Sequence, residues 1–296
     1  MASRDEIILP TSGYDLDATL ACGQAFGWER DANGWTGVIK GRWVRLTSVS
    51  GGIKVQLAES SGDIAWLADY LQTNVNIGEV IATFPKDDEH LRDAVKMCAG
   101  LRLVRQNPWE CLASFILSST KQIVQIRQIV RTLCERHGSP VIGPRGVVKR
   151  FAFPTADQLA ALNEADLRAC KMGFRAPYLL VAAQRVASGE IKLEEIGRMD
   201  LVMAREELMK MDGVGEKIAD CVLLFAYGFP GAFPVDVWVR RVLTKFYFRG
   251  RTVKPERLRQ FIVKHFGPNA GYAQQYLFHH VRLTCGKNLP VAGLKS

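Results

Sequence analysis

The sequence predicts an α+β protein, with an N-terminal antiparallel β-sheet domain packed on a mostly α-helical core. Three observations predict it. Ile53, Val55 and Leu57 alternate with Lys54 and Gln56, the period-two pattern of a strand with one buried face. From about Glu89 onward the chain reads as helix after helix. Between Leu208 and Phe225 two helical segments are joined by a tight Gly-Val-Gly turn.

The first part, to about Glu59, reads as β-structure. Trp43 to Leu46 is the expected neighbour of the Ile53–Leu57 strand, with Ser50-Gly51-Gly52 turning between them and Asp31 to Gly34 forming an earlier turn. After Ser61 the pattern becomes helical, with Ile64, Leu67 and Leu71 on one face. The domains are expected at residues 1–92, β-rich, and 93–296, helical, with the hairpin at about 200–227. Asn107-Pro108 opens a long apolar stretch through Leu117. Pro154, Thr155 and Gln158 fit a loop followed by a capping box. Asp200 is placed to cap a helix carrying Leu201, Ala204, Leu208 and Met211 on one stripe. Residues 139–150, with Pro140, Gly143, Pro144 and Gly146, read as irregular.

Composition bounds the function. The 296 residues are 48% hydrophobic and 23% charged, the balance of an ordinary globular protein, and long enough for two or three packed subdomains. Residues 1–14 hold no signal-like apolar run, and no stretch is long enough to span a bilayer. An intracellular protein is expected, in the cytoplasm or nucleoid of a bacterium or the nucleus of a eukaryote. The net charge of +9 favours a polyanionic partner. Seven widely spaced cysteines form no C-x-x-C pair, which speaks against a disulfide framework, a zinc site or an iron–sulfur cluster. No metal or organic cofactor is implied.

The hairpin carries the chemistry. Gly213 and Gly215 permit positive φ and a close backbone approach. The second helix begins near Glu216, so its free N–H groups and dipole offer a phosphate site. Lys217 lies in its first turn, where the dipole disfavours an ammonium, as desolvation in a cleft would too. A free amine is what a nucleophilic lysine needs. Cys221 and Leu224 share the face of Lys217, while Ile218, Val222 and Phe225 form a core-facing stripe. Lys217 is equally compatible with a solvated lysine or a phosphate contact. Pro234-Val-Asp236 places a carboxylate to cap the next helix. It is either a plain N-cap or a rigid carboxylate that favours positive charge developing on a sugar. Residues 240–264 hold nine Arg and Lys against one acid, Glu256, and read as a solvated face or a phosphate track.

Together the hairpin, Lys217 after Gly-Val-Gly-Glu and the Pro-Val-Asp segment resemble the helix-hairpin-helix DNA glycosylases, and more closely the 8-oxoguanine DNA glycosylases. Cys22-Gly-Gln-Ala-Phe-Gly-Trp28, Leu103 to Ser119, Gly173 to Tyr178 and Gly271 to Phe278 resemble further segments of that family, so the similarity spans roughly residues 15–280. The resemblance implies a bifunctional glycosylase and strand-cleaving lyase. Lys217 would attack the sugar and form a Schiff base, and Asp236 would be the catalytic carboxylate. Cys221 and Phe278 would sandwich the extruded base, the Gly23 carbonyl would accept its N7–H, and Gln274 would read its Watson–Crick edge. Phe174 would be the wedge in the vacated stack, Arg175 the contact to the orphaned cytosine, and Gly213 and Gly215 the DNA-binding turn. The implied partner is double-stranded DNA with an oxidised guanine, bound by a monomer with no membrane involved. Two positions depart from the family. Thr120 and Lys121 stand where an asparagine usually helps hold the cytosine, and Trp238 replaces a frequent histidine that would hold DNA phosphate. The alternatives are a glycosylase for another damaged purine and a non-catalytic hairpin DNA-binding protein.

Overall fold

The computed structural model describes residues 7–58, 63–119, 121–144, 147 and 149–285. Its N-terminal part is a five-stranded antiparallel sheet of β1 (Ile7–Pro10), β2 (Glu29–Asp31), β3 (Gly34–Ile39), β4 (Arg42–Val49) and β5 (Gly52–Leu57), in the order β1-β5-β4-β3-β2. Leu46 pairs with Val55 and Val44 with Leu57, so the alternation read from the sequence puts Val44, Leu46, Ile53 and Val55 on the buried face.

One helix interrupts the region read as all β. α1 (Leu16–Ala21) opens at Asp15, whose carboxylate accepts from the Ala18 N–H at 2.8 Å. It is short and its residues face two different cores, so no single apolar stripe marks it. The next helices are α2 (Ala65–Leu71), α3 (Ile77–Ala82), α4 (Glu89–Met97), α5 (Pro108–Leu117) and α6 (Ile123–His137). The 139–150 stretch is not wholly irregular, because β6 (Pro140–Val141) pairs with β7 (Arg150–Phe151) and closes its ends. Gly146 lies outside the described residues. Next come α7 (Ala156–Ala160), capped by Thr155 and Gln158 as expected, α8 (Glu164–Arg168), α9 (Ala176–Ala187), α10 (Leu193–Ile196) and α11 (Leu201–Met209), capped by Asp200. The last four are α12 (Glu216–Val222), α13 (Val237–Val242), α14 (Pro255–Phe266) and α15 (Ala270–Cys285). No helix among the described residues is long and apolar enough to cross a membrane.

Two apolar cores meet along residues 16–28. Leu16, Leu20, Ala25 and Trp28 pack into the sheet's core, while Ala18, Cys22 and Phe26 belong to the helical one. The fully buried Gln24 ties this segment down. Its Nε2 donates to the carbonyls of Thr19 and Arg102, both at 2.8 Å, and its Oε1 accepts from the Val104 N–H at 2.9 Å. Gln106 in turn donates to the Gln24 carbonyl at 2.7 Å, and the Gln106 N–H donates to the Phe225 carbonyl at 2.8 Å. Replacing Gln24 by Leu leaves buried backbone groups unpaired. The Gln24→Leu protein is expected to lose about 2–4 kcal/mol of unfolding free energy, measured as a lower denaturant midpoint at unchanged slope.

Candidate active site

The hairpin turn lies between α11 and α12. Gly213 has φ +80, and a side chain there would collide with the Tyr178 ring. Gly215 does not use the positive φ open to it. Its φ is −94 and ψ 179, an extended N-cap that any residue adopts, and no atom crowds the position of its absent side chain. The glycine is needed there neither for conformation nor for packing within the chain.

α12 then presents Lys217 to a cavity of about 380 Å³. The Lys217 Nζ donates to Ser118 Oγ at 3.0 Å and stands 5.2 Å from the centre of the Phe115 ring. Ser118 caps the C-terminus of α5, and its hydroxyl donates to the Phe115 carbonyl at 2.7 Å. The hydroxyl proton is thus committed, and the oxygen is left to accept from Lys217.

After Val222 the chain takes a wider π-turn, Leu223–Tyr227, ended by Gly228 at φ +74. Each residue there advances by less than in an α-helix. Phe225 therefore swings toward the face of Lys217 and Cys221 and lines the cavity, stacked 5.7 Å from Phe115. Phe225 also packs in the core with Ile218 and Val222, as the stripe read from the sequence has it. Cys221 is buried in the same wall, and burial pushes its thiol up to about 12, so it presents a neutral, polarisable surface.

Asp236 caps α13 with an extended backbone, its Oδ1 accepting from the Val239 N–H at 2.7 Å. The residue is half-buried, but its carboxyl end is turned into the cavity. Desolvation raises its pKa above the usual aspartate value, opposed by that cap bond and by the charges of Lys217 and Arg282. Among the described residues Lys217 bonds Ser118 and forms no direct ion pair with Asp236.

Gly23, Gln274, Phe278 and Trp238 line the same cavity. Gly23 has φ +86, a region that favours glycine, and no described hydrogen bond reaches its carbonyl. Gln274 is almost fully buried, with its Oε1 unpartnered. Phe26, Phe115, Ser118, Lys121 and Arg282 also line the cavity. Sequence reasoning gave them no role, because they come from elements far apart in the chain. Thr120 lies outside the described residues.

Four of the expected DNA-contacting residues stand outside this cavity. Phe174 and Arg175 lie in the single 3-10 turn Gly173–Arg175, and Phe174 is 53% exposed. The Arg175 guanidinium lies 4.7 Å from the Phe174 ring and 5.5 Å from Tyr178, the ring that packs on Gly213. Tyr178 thereby links the Phe174 turn to the hairpin. The basic run of residues 240–264 is mostly exposed, although Arg259 is paired with Glu216 of α12 as well as with Glu256 at 3.9 Å.

A lysine on the helix after a glycine hairpin, sharing an enclosed cavity with a cap carboxylate, defines a class, the helix-hairpin-helix DNA glycosylases. Residues 6–112 match the 8-oxoguanine DNA glycosylase N-terminal domain, and residues 113–268 match the HhH-GPD superfamily base excision DNA repair proteins. A probable N-glycosylase/DNA lyase of Methanothermobacter thermautotrophicus is 31% identical over 214 residues, 66% of this chain and 68% of that protein. The structure of MBOgg1 with a low-affinity DNA ligand superposes with TM-score 0.89 at 30% identity, covering 96% of this chain and 97% of that one. The Clostridium acetobutylicum 8-oxoguanine glycosylase/lyase, bound to duplex DNA with cytosine opposite 8-oxoguanine, gives 0.86 at 30% identity over 94% and 98%. The chain belongs to the HhH-GPD superfamily of base excision DNA repair proteins, as one of its bifunctional 8-oxoguanine glycosylase/lyases.

The raised pKa of Asp236 sets a pH dependence. Its protonated form dominates below the raised value, so a reaction that needs the carboxylate is lost as pH falls through it. The acid limb of kcat/KM is expected at a higher pH than an ordinary aspartate would give. The measurement is base excision across pH 4–8, a range set about the free-residue value of roughly 4.

Proposed function

We propose that the enzyme everts 8-oxoguanine from duplex DNA into this cavity and cleaves it with Lys217. A base inside a duplex is out of reach, so the nucleotide must leave the stack. The Lys217 lone pair attacks C1′ as the glycosidic bond breaks, and the electron pair leaves with the base, which takes up a proton. Asp236 favours the positive charge that builds on the sugar. Loss of a proton from nitrogen and opening of the ring give the Schiff base. Removal of a C2′ proton then expels the 3′ phosphate, and water releases the lysine. Phe278 and Cys221 would cover the two faces of the base, the Gly23 carbonyl would accept N7–H, and Gln274 would pair with the Watson–Crick edge. Outside the cavity, Phe174 would fill the vacated stack, Arg175 would meet the orphaned base, and Gly213 and Gly215 would approach the backbone, as would Trp238 from the cavity wall.

The observation that carries this reading is the shared cavity, where an amine, a desolvated carboxylate and the unpartnered Gln274 acceptor converge. The duplex bound by the Clostridium acetobutylicum relative supports the choice of base. Borohydride is expected to trap the enzyme on a duplex with 8-oxoguanine opposite cytosine, and Lys217→Gln to abolish trapping. Trapping by the glutamine variant would remove Lys217 from the reaction. Asp236→Asn is expected to cut single-turnover excision at least about a hundredfold while the unfolding midpoint stays near that of the native enzyme.

The exposed cations of residues 240–264 would track DNA phosphate. In that case Arg251→Gln with Arg257→Gln lowers the slope of log affinity against log salt by roughly 0.9 for each lost contact. A slope identical to the parent's would return both residues to a solvated face.

A further inference from the structure

Arg282 is a cavity side chain that the lysine and aspartate chemistry does not use. Arg282 stands on α15 one turn past Phe278, with its guanidinium 5.5 Å from the centre of the Phe278 ring. Its only described hydrogen bond is a long one, 3.5 Å from Nη1 to the Ala21 carbonyl. No carboxylate forms an ion pair with it among the described residues. Burial disfavours its charged form. A guanidinium has five N–H donors and no acceptor, and the half-buried Arg282 makes one described protein hydrogen bond with them. Arg282 is thus a preformed donor facing a cavity.

The wall beside it offers the opposite polarity. Nη1 lies 3.8 Å from where a Gly23 side chain would begin, and the Gly23 carbonyl accepts no described hydrogen bond. Both residues line the same cavity. The ligand edge that fits must present an acceptor next to a donor. In 8-oxoguanine N7–H is flanked by the carbonyl oxygens at C6 and C8, which gives that alternation. A phosphate lacks the donor that Gly23 requires.

We propose that Arg282 is a further specificity-determining residue, which donates to a base carbonyl oxygen flanking the N7–H held by Gly23. The inference rests on the assignment of Gly23 in the proposed function. The pairing is charge-assisted, and the site rejects a base that turns a donor toward the guanidinium.

The test is single-turnover excision by R282M and R282K from duplexes carrying 8-oxoguanine or 8-oxoadenine opposite cytosine, with binding to a duplex whose lesion is a tetrahydrofuran abasic analogue. R282M is expected to lose about tenfold to a hundredfold in excision of 8-oxoguanine, while abasic-duplex affinity changes less than about twofold. R282K, which keeps the charge without the planar fork, should fall between. It also serves as the informative variant if R282M does not fold. If the oxygen at C6 is read, the loss is larger for 8-oxoguanine than for 8-oxoadenine, whose amine replaces that oxygen. If the oxygen at C8 is read, both bases lose alike. Unchanged excision of 8-oxoguanine by both variants overturns the proposal. So does an equal loss of abasic-duplex affinity, which would make Arg282 a phosphate contact. If the native enzyme itself leaves 8-oxoguanine in place, it is the parent reading that has failed.

Discussion

The carboxamide of Gln24 spends its bonds on backbone groups, and the cavity's geometry depends on them. Nε2 holds the end of α1 and the Arg102 carbonyl, and Oε1 holds the Val104 N–H. The Gln24 carbonyl meets Gln106, whose N–H reaches Phe225 on the opposite wall. Gly23 thereby keeps a set position relative to the hairpin helix, though the two are nearly two hundred residues apart in sequence. A further tie comes from Gln275, which donates to the Cys22 carbonyl at 3.3 Å. A buried polar network is worthwhile only when its members are satisfied, and the Gln24 amide is bonded at both ends. Rigid placement matters because a site that reads one proton needs its acceptor fixed before the ligand arrives.

Electrostatics inside the cavity follow from the same enclosure. Desolvation raises the pKa of Asp236 and of Cys221 and lowers that of Arg282. The thiol gives up its charge readily and becomes wall. The aspartate is held toward its ionised form by the Val239 N–H and by two nearby cations, so one group both caps α13 and presents a carboxylate to the cavity. The Ser118 hydroxyl, already donating to the Phe115 carbonyl, accepts a hydrogen bond from the Lys217 amine and leaves its remaining valences to the cavity.

Much of this was legible in the sequence, and the failures have physical causes. Strand alternation, the capping residues Thr155 and Asp200 and the start of α12 obey local rules, and they appear where those rules put them. α1 escaped notice because Leu16 and Leu20 turn to one core while Ala18 turns to the other, which erases the stripe a helix usually shows. Phe225 packs in the core with Ile218 and Val222 as read, but its share in the cavity wall was missed because helical spacing assumes an unbroken α-helix, and a π-turn follows Val222. Gly215 was read as a conformational glycine from its motif, yet its backbone is ordinary. Arg282 carried no signal at all. An arginine near the end of a helix reads as a surface residue until α15 is seen to lean against Ala21 and Gly23.

The two ends of the hairpin helix serve opposite solvents. Its N-terminus opens at Gly215 into empty space, with unpaired N–H groups and Glu216 holding Arg259 of the basic α14 beside it. Within the same first turn, Lys217 already faces the cavity. A phosphate bound at the helix start would draw on the positive end of the dipole. Gly215 then has a use that its backbone angles do not explain. Without a side chain at the N-cap, the approach to the helix's first N–H groups is open.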